Sequence, residues 1–334
     1  MINQLMDKPE SQKESRSEMG LLLTRFTIER ILVEGNSEAG EPSIHEGFNK
    51  ETGDSVLIKI WSRNELVDDH DLLSLWQNEI RQMQQLSEYP GARDYLVPMH
   101  DAATDSDGFY LILESDGKLP LVWHQRNPST KKTLTLKSNA RKSIWLNLVR
   151  IAKGLNILHA RGLIHRNLDE RSIFTEQLTT PDYQLGGFEW NIRLNAYESG
   201  LQQKLNEKNA VSLYSFERDW KSFGELALRL IGIEPSVYSQ KKSSQDSITK
   251  LLNDTESHLL KQLVTPTTME AMNGEAVIKK IGQIITEYST KSDRKTLTLH
   301  LIYIHNKIAR QLRDTLIKED IKYYDVNDHD SLMD

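Results

Sequence analysis

Three short stretches hold the side chains best suited to chemistry. Val56-Leu57-Ile58-Lys59 ends an apolar run in a lysine. Leu163 to Phe174 reads Leu-Ile-His-Arg-Asn-Leu-Asp-Glu-Arg-Ser-Ile-Phe, and Leu185-Gly186-Gly187-Phe188-Glu189 follows it. A lysine, an amide and carboxylates are groups that hold phosphates and their metal ions. Other chemistries find no footing. The ten histidines are scattered without a His-Glu-x-x-His zinc pattern. His159 and His165 straddle a helix end, which is wrong for two ligands on one helical face. No Gly-x-Ser-x-Gly elbow is present. The absence of cysteine removes disulfides, thiolate metal sites and a Cys nucleophile, as suits a reducing compartment.

In order and spacing these stretches resemble the protein kinases, in degenerate form. The segment His165-Arg166-Asn167 resembles their catalytic loop, His-Arg-Asp, four residues, then Asn. Asn167 stands at the catalytic Asp position, Ser172 at the metal-binding Asn, and Asp169 at the phosphate-contacting Lys. Gly187 and Glu189 flank Phe188 where the family has Asp-Phe-Gly, so the metal-binding Asp is replaced by Gly187. Lys59 and Glu79 match the family's Lys–Glu ion pair. As a partly exposed pair it would contribute only about 0–1 kcal/mol. Asp219-Trp220-Lys221-Ser222-Phe223-Gly224 looks like the buried Asp-Trp-x-Ser-x-Gly helix of the kinase C-lobe. By register, Met83, Met99, His165 and Phe188 map to the apolar stack that joins the family's lobes. Glu207 falls where the family pairs a Glu with a late Arg, but Met269 holds the Arg position.

The elements that must position these groups follow from pattern. Residues 1–19 are polar and charged, and are expected to form a disordered leader. Strands are expected over Phe26 to Val33, over Ser43 to Phe48, and into Lys59 after a turn at Thr52-Gly53-Asp54. The loop between the first two, Gly35 to Pro42, is read as an ordinary hairpin loop. It keeps two glycines but adds Glu38 and Glu41, carboxylates that would repel a triphosphate. Asp71 to Leu86 has helical spacing, with Asp71 placed as its cap. Leu96 to Ala102 and Phe109 to Leu113 read as strands, and Ser143 to Ala160 as a long helix. The basic stretch Val122 to Ser143 reads as a solvated loop, because only Trp123 offers a stacking ring. Trp190 to Glu207 replaces the activation segment, with Tyr197 and Ser199 in it. Glu234 to His258 is expected to loop out, before helices near Leu259 to Val264 and Glu275 to Tyr288. Lys295 to His305 alternates like a strand, and Ile308 to Ile317 is helical in pattern. Residues 291–334 are either a docking tail or the start of a further module.

The resemblance implies an α+β, bilobal protein kinase-like fold over residues 20–290, with a β-rich small N-lobe, a mainly helical C-lobe and a short strand–helix C-terminal extension. It implies a pseudokinase: no phosphoryl transfer, and a role as a protein-binding, scaffolding or regulatory module. The alternative is an atypical transferase using the displaced carboxylates Asp169 and Glu189. No cofactor and no metal are expected. Leu57 and Phe174 would fill the base slot, leaving weak, metal-independent ATP binding at most through Lys59 and Glu79. The net charge of −6 gives no pull toward nucleic acid or anionic membrane. No apolar run reaches membrane-spanning length, so a cytoplasmic protein with protein partners is expected.

Overall fold

The computed structural model describes residues 25–64, 67–126, 138–178, 180–193, 215–238, 252–265 and 273–289. The expected leader, Tyr197, Ser199, Glu207, Met269 and the 291–334 extension lie outside the described residues. The chain divides into two compact units, Met1–Ile285 and Thr286–Asp334. The first unit is mixed α+β, with an antiparallel sheet in its N-terminal part and helices after it.

The sheet has five strands: β1 (Phe26–Val33), β2 (Ser43–Asn49), β3 (Ser55–Ser62), β4 (Met99–Thr104) and β5 (Gly108–Glu114). Their order is β1-β2-β3-β5-β4, with every neighbouring pair antiparallel. Alternation along β3 sends Val56 and Ile58 into one apolar cluster with Phe26, Tyr110 and Ile112. The other face carries Leu57, Lys59 and Trp61, also buried, because helix α1 (Asp69–Ser87) covers that side. Trp76 of α1 fixes the contact by donating from Nε1 to the Tyr110 carbonyl at 2.9 Å.

Several boundaries differ from the sequence reading. Helix α1 is capped by Asp68, not Asp71. Asp68 is extended, and its carboxylate accepts from the His70 N–H at 2.8 Å, which lets the helix start at Asp69. Leu96 to Pro98 is not part of β4. After a short helix, α2 (Ala92–Tyr95), the Val97 N–H instead donates to the Leu185 carbonyl at 2.9 Å. The apolar run there stitches the sheet to the later chain. The stretch Val122 to Ser143 is helical at both ends, in α3 (Leu121–Arg126) and in the start of α4 (Ser138–Ala160).

The later part is built on α4, whose buried Trp145, Leu148, Ile151 and Leu155 form its core face. Short strands β6 (Leu119–Pro120), β8 (Ile173–Thr175) and β9 (Gln184–Leu185) make a second sheet. A third is made by β7 (Leu163–Ile164) and β10 (Ile192–Arg193). Helices α5 (Phe216–Ile231), α6 (Pro235–Tyr238) and α7 (Asp254–Val264) follow, and a further helix starts at 274. Helix α7 begins earlier than the loop expected over Glu234 to His258 allows. Asn253 and Glu256 form a reciprocal capping box, which nucleates the helix there. Glu256, fully buried, also accepts from Trp145 Nε1 at 2.6 Å, tying α7 to α4. Among the described residues no helix is long and apolar enough to cross a membrane.

Candidate functional site

Lys59 and Glu79 meet because alternation on β3 turns the lysine toward α1, and the helical period turns Glu79 back to it. Lys59 Nζ donates to Glu79 Oε1 at 2.8 Å and Oε2 at 2.6 Å. A third bond, at 3.0 Å, goes to Glu189 Oε2 from 130 residues away in sequence. The three donors of the ammonium are thereby used. Side-chain exposure is only 2% for Lys59, 1% for Glu79 and 7% for Glu189. The partly exposed pair expected from sequence is therefore a buried triad of one cation and two carboxylates. Burial pushes Glu79 up to about 7, against the pull of Lys59, and the Glu189 charge adds to the rise. Burial acts the same way on Glu189, but there Lys59 outweighs it and holds the carboxyl below its ordinary value. Lys59 loses stability as a cation by burial, and its two anionic neighbours more than reverse this, raising it.

The segment that delivers Glu189 is itself latched to α1. The Phe188 N–H donates to Glu79 Oε1 at 3.2 Å. Asn78 Nδ2 donates to the carbonyls of Glu189 at 3.0 Å and Asn191 at 3.1 Å. Phe188 meets the His165 ring edge-on, with centroids 5.8 Å apart. It shares the wall of a cavity of about 320 Å³ with Met83 and Met99. These are the side chains mapped to the apolar stack.

The loop from His165 to Ser172 is held from below by α5. Its Asp219, 1% exposed, accepts from the backbone N–H groups of His165 at 2.7 Å and Arg166 at 2.8 Å. It is also bonded to His159 Nε2 at 2.9 Å. Burial would raise the Asp219 carboxyl. The bond from His159 and the other donors outweigh burial and hold it below the ordinary range. Arg166 sits at φ 69°, a left-handed conformation that the bonded neighbours fix. His165 Nε2 donates to the Gly186 carbonyl at 2.8 Å, joining the loop to the Gly186-Gly187 turn.

Asp169 and Ser172 serve the loop's own backbone. Asp169 Oδ1 accepts from the N–H of Arg171 at 2.8 Å and of Ser172 at 3.2 Å. Ser172 Oγ donates to the Asp169 carbonyl at 2.9 Å. Burial raises the Asp169 carboxyl from its ordinary value, although the Arg171 N–H pulls the other way. Gly187 lies at φ +75°, and a Cβ built there would come 2.9 Å from Ser172 Cβ. An Asp at this position would therefore force Ser172 or the turn to shift. Gly187→Asp is expected to destabilise by roughly 1–3 kcal/mol from that strain. A fall in melting temperature of several degrees checks it, and an unchanged temperature contradicts it.

The loop from Gly35 to Pro42 is a hairpin loop, joining the antiparallel neighbours β1 and β2 as expected. A 3₁₀ turn over Ser37–Ala39 and a bridge between Asn36 and Glu41 fold it down. Arg171 Nη1 then donates to Glu41 Oε2 at 2.6 Å, and Nη2 to the Glu34 carbonyl at 3.0 Å. The cavity left beneath measures about 20 Å³ and is lined by Glu41, Lys59, Asn167, Asp169, Arg171 and Glu189 among others. That is room for about one water. Phe174 also lines this cavity and is buried at 1% exposure, and Leu57 on β3 is buried at 0%. A Cβ on Gly186 would meet the Phe174 ring at 2.8 Å, so the ring is seated against bare backbone.

A scan against protein-family models and a search of curated proteins found no match. The structure brings Lys59, Glu79 and Glu189 into one cluster and Asn167, Asp169, Ser172 and Gly187 onto the wall of the small cavity. Among the described residues, no group of three or more metal-capable side chains is arranged to hold an ion. Sequence reasoning missed Arg171 and Asn78, and with them the pairing of Glu41 with Arg171. The only available signal was charge: Arg171 stands beside a loop whose opposing hairpin carries unpaired-looking acids.

Proposed function

We propose that the chain is a degenerate, bilobal protein kinase-like domain that transfers no phosphoryl group and works as a protein-binding or regulatory module. The observation that carries the reading is the state of Lys59. It sits on the third strand of an antiparallel sheet, bonded to a glutamate of the helix that follows, as the kinase resemblance implies. Its remaining donor goes to Glu189 rather than outward to the cleft.

Kinase catalysis is positioning and electrostatics around metal ions, with an Asp receiving the hydroxyl proton. Asn167 cannot accept that proton, and Gly187 offers no ligand. Ser172 spends its hydroxyl on the Asp169 carbonyl. The displaced-carboxylate alternative finds no support in this arrangement. Asp169 is bonded within its own turn, and Glu189 faces Lys59. Leu57 and Phe174, which the resemblance sets at the base slot, are both buried, so the reading includes weak or absent ATP binding and no resident metal. It also includes a cytoplasmic setting with a protein partner.

Incubation with labelled ATP, magnesium or manganese, and generic protein substrates should give no transfer above a heat-killed control. Transfer that disappears in Asp169→Ala or Glu189→Ala would establish the alternative instead.

A further inference from the structure

We infer that Glu189 and Glu41 act as built-in phosphate surrogates, each holding closed one half of a latent oligophosphate-binding site. The inference rests on the kinase-like reading for the identity of the cleft, but its geometry stands by itself. Two cationic side chains, Lys59 and Arg171, line the same cavity of about 20 Å³. Each is neutralised by a carboxylate from a segment that folds over the cavity: Glu189 on Lys59 at 3.0 Å, and Glu41 on Arg171 at 2.6 Å. Both contacts span 130 residues of sequence, so each pins two distant segments together.

A carboxylate and a phosphate present the same kind of charged acceptor oxygen to an ammonium or a guanidinium. The carboxylates therefore occupy the positions such a ligand would take. They are also dispensable for the local charge balance. Without Glu189, Lys59 keeps both bonds to Glu79 and the triad passes from two anions against one cation to a matched pair. Without Glu41, Arg171 keeps its bond to the Glu34 carbonyl, and its side chain is 32% exposed, so its charge remains solvated. The segments would also stay in place, since Asn78 holds the Glu189 carbonyl and the Asn36–Glu41 bridge is made by backbone. Removing the carboxylates thus leaves one donor open on each cation, on Lys59 beside its pair with Glu79 and on Arg171 beside the Glu34 carbonyl, and enlarges the space between them. Because Leu57 and Phe174, which the resemblance sets at the base slot, are both buried, the ligand class is a short inorganic or organic polyphosphate chain, not a nucleoside.

The test is titration calorimetry of the full chain with sodium tripolyphosphate, at low ionic strength and without divalent metal. Wild type is expected to show no saturable heat at millimolar ligand. The Glu41→Ala/Glu189→Gly double variant is expected to bind at least tenfold more tightly than wild type. Should that variant not fold, Glu41→Gln/Glu189→Gln keeps side-chain size while removing the charges, and is expected to bind more tightly than wild type as well. Adding Arg171→Ala should abolish the gain, as should adding Lys59→Met with Glu79→Gln, which strands no charge. A folded double variant with wild-type affinity overturns the inference, and so does a gain that survives both cation replacements. Neither result bears on phosphoryl transfer, which the labelled-ATP assay decides separately.

Discussion

Lys59→Met is expected to lower the melting temperature by roughly 6–20 °C. The change leaves Glu79 and Glu189 facing each other in the interior, at 1% and 7% side-chain exposure, with no cation between them. Breaking a buried charge cluster in this way costs about 3–5 kcal/mol, and 1 kcal/mol corresponds to about 2–4 °C for a domain of this size. The sign of the pH dependence follows from the same geometry. Without Lys59 the folded-state values of both carboxyls rise above the unfolded value of about 4.3. Stability is then fully present below that value and lost as pH rises through the folded values. Glu79, already at about 7 in the native triad, shows the direction. The gap between variant and wild type should therefore be wide at pH 8 and narrow toward pH 5. Lys59→Met/Glu189→Gln should recover much of the loss at pH 8, since one anion is gone. Thermal melts across this pH range check all three statements. A shift below about 2 °C at pH 8, or a gap independent of pH, would show that the triad is solvated.

Much of this frame was legible in the sequence because it is set by local periodicity. The two-residue alternation through Val56 to Lys59 announces a strand, and the three-to-four spacing of Leu72, Trp76, Ile80 and Met83 announces the helix that carries Glu79. What could not be read is which charges meet. Glu189 and Glu41 reach their cations across 130 residues, and no pattern within either segment encodes that distance. This is why the sequence shows Glu41 as a carboxylate facing a phosphate site but not as the partner of Arg171. Burial was hidden for the same reason: Lys59 becomes inaccessible only when α1 and the Phe188-Glu189 segment close on it. The cap of α1 fails differently. Asp68, Asp69 and Asp71 all have capping chemistry, and the choice of Asp68 lies in its extended backbone, φ −61° and ψ 132°, which the residue type does not dictate.

Asp219→Ala is the other substitution with a large expected effect, and it probes the support of the loop rather than the cleft. Asp219 is 1% exposed and satisfies the backbone N–H groups of His165 and Arg166 together with His159 Nε2. Alanine would leave those donors in the interior without an acceptor, at about 1–3 kcal/mol each before relaxation. It would also release Arg166 from the contact that holds it at φ 69°. Relaxation of the loop offsets part of the sum, so a net loss of about 3–5 kcal/mol is expected, the range of other disrupted buried networks. Asp219→Asn keeps one acceptor oxygen but turns an NH₂ toward a donor, and should fall between wild type and alanine. The Asp219 carboxyl is depressed, so its contribution is present above the unfolded value of about 3.9 and lost as pH falls through the lower folded value. The difference between wild type and Asp219→Ala should thus persist from pH 8 down to pH 5 and shrink only below about pH 4. That profile is opposite to the one expected for Lys59→Met over the same range, which separates the two clusters in a single set of melts. Amide hydrogen exchange supplies the local readout: the His165 and Arg166 amides should lose protection in Asp219→Ala, while the β3 amides that flank Lys59 keep theirs. If both regions lose protection together, the loop and the sheet unfold as one cooperative unit, and Asp219 stabilises the whole domain rather than its own loop.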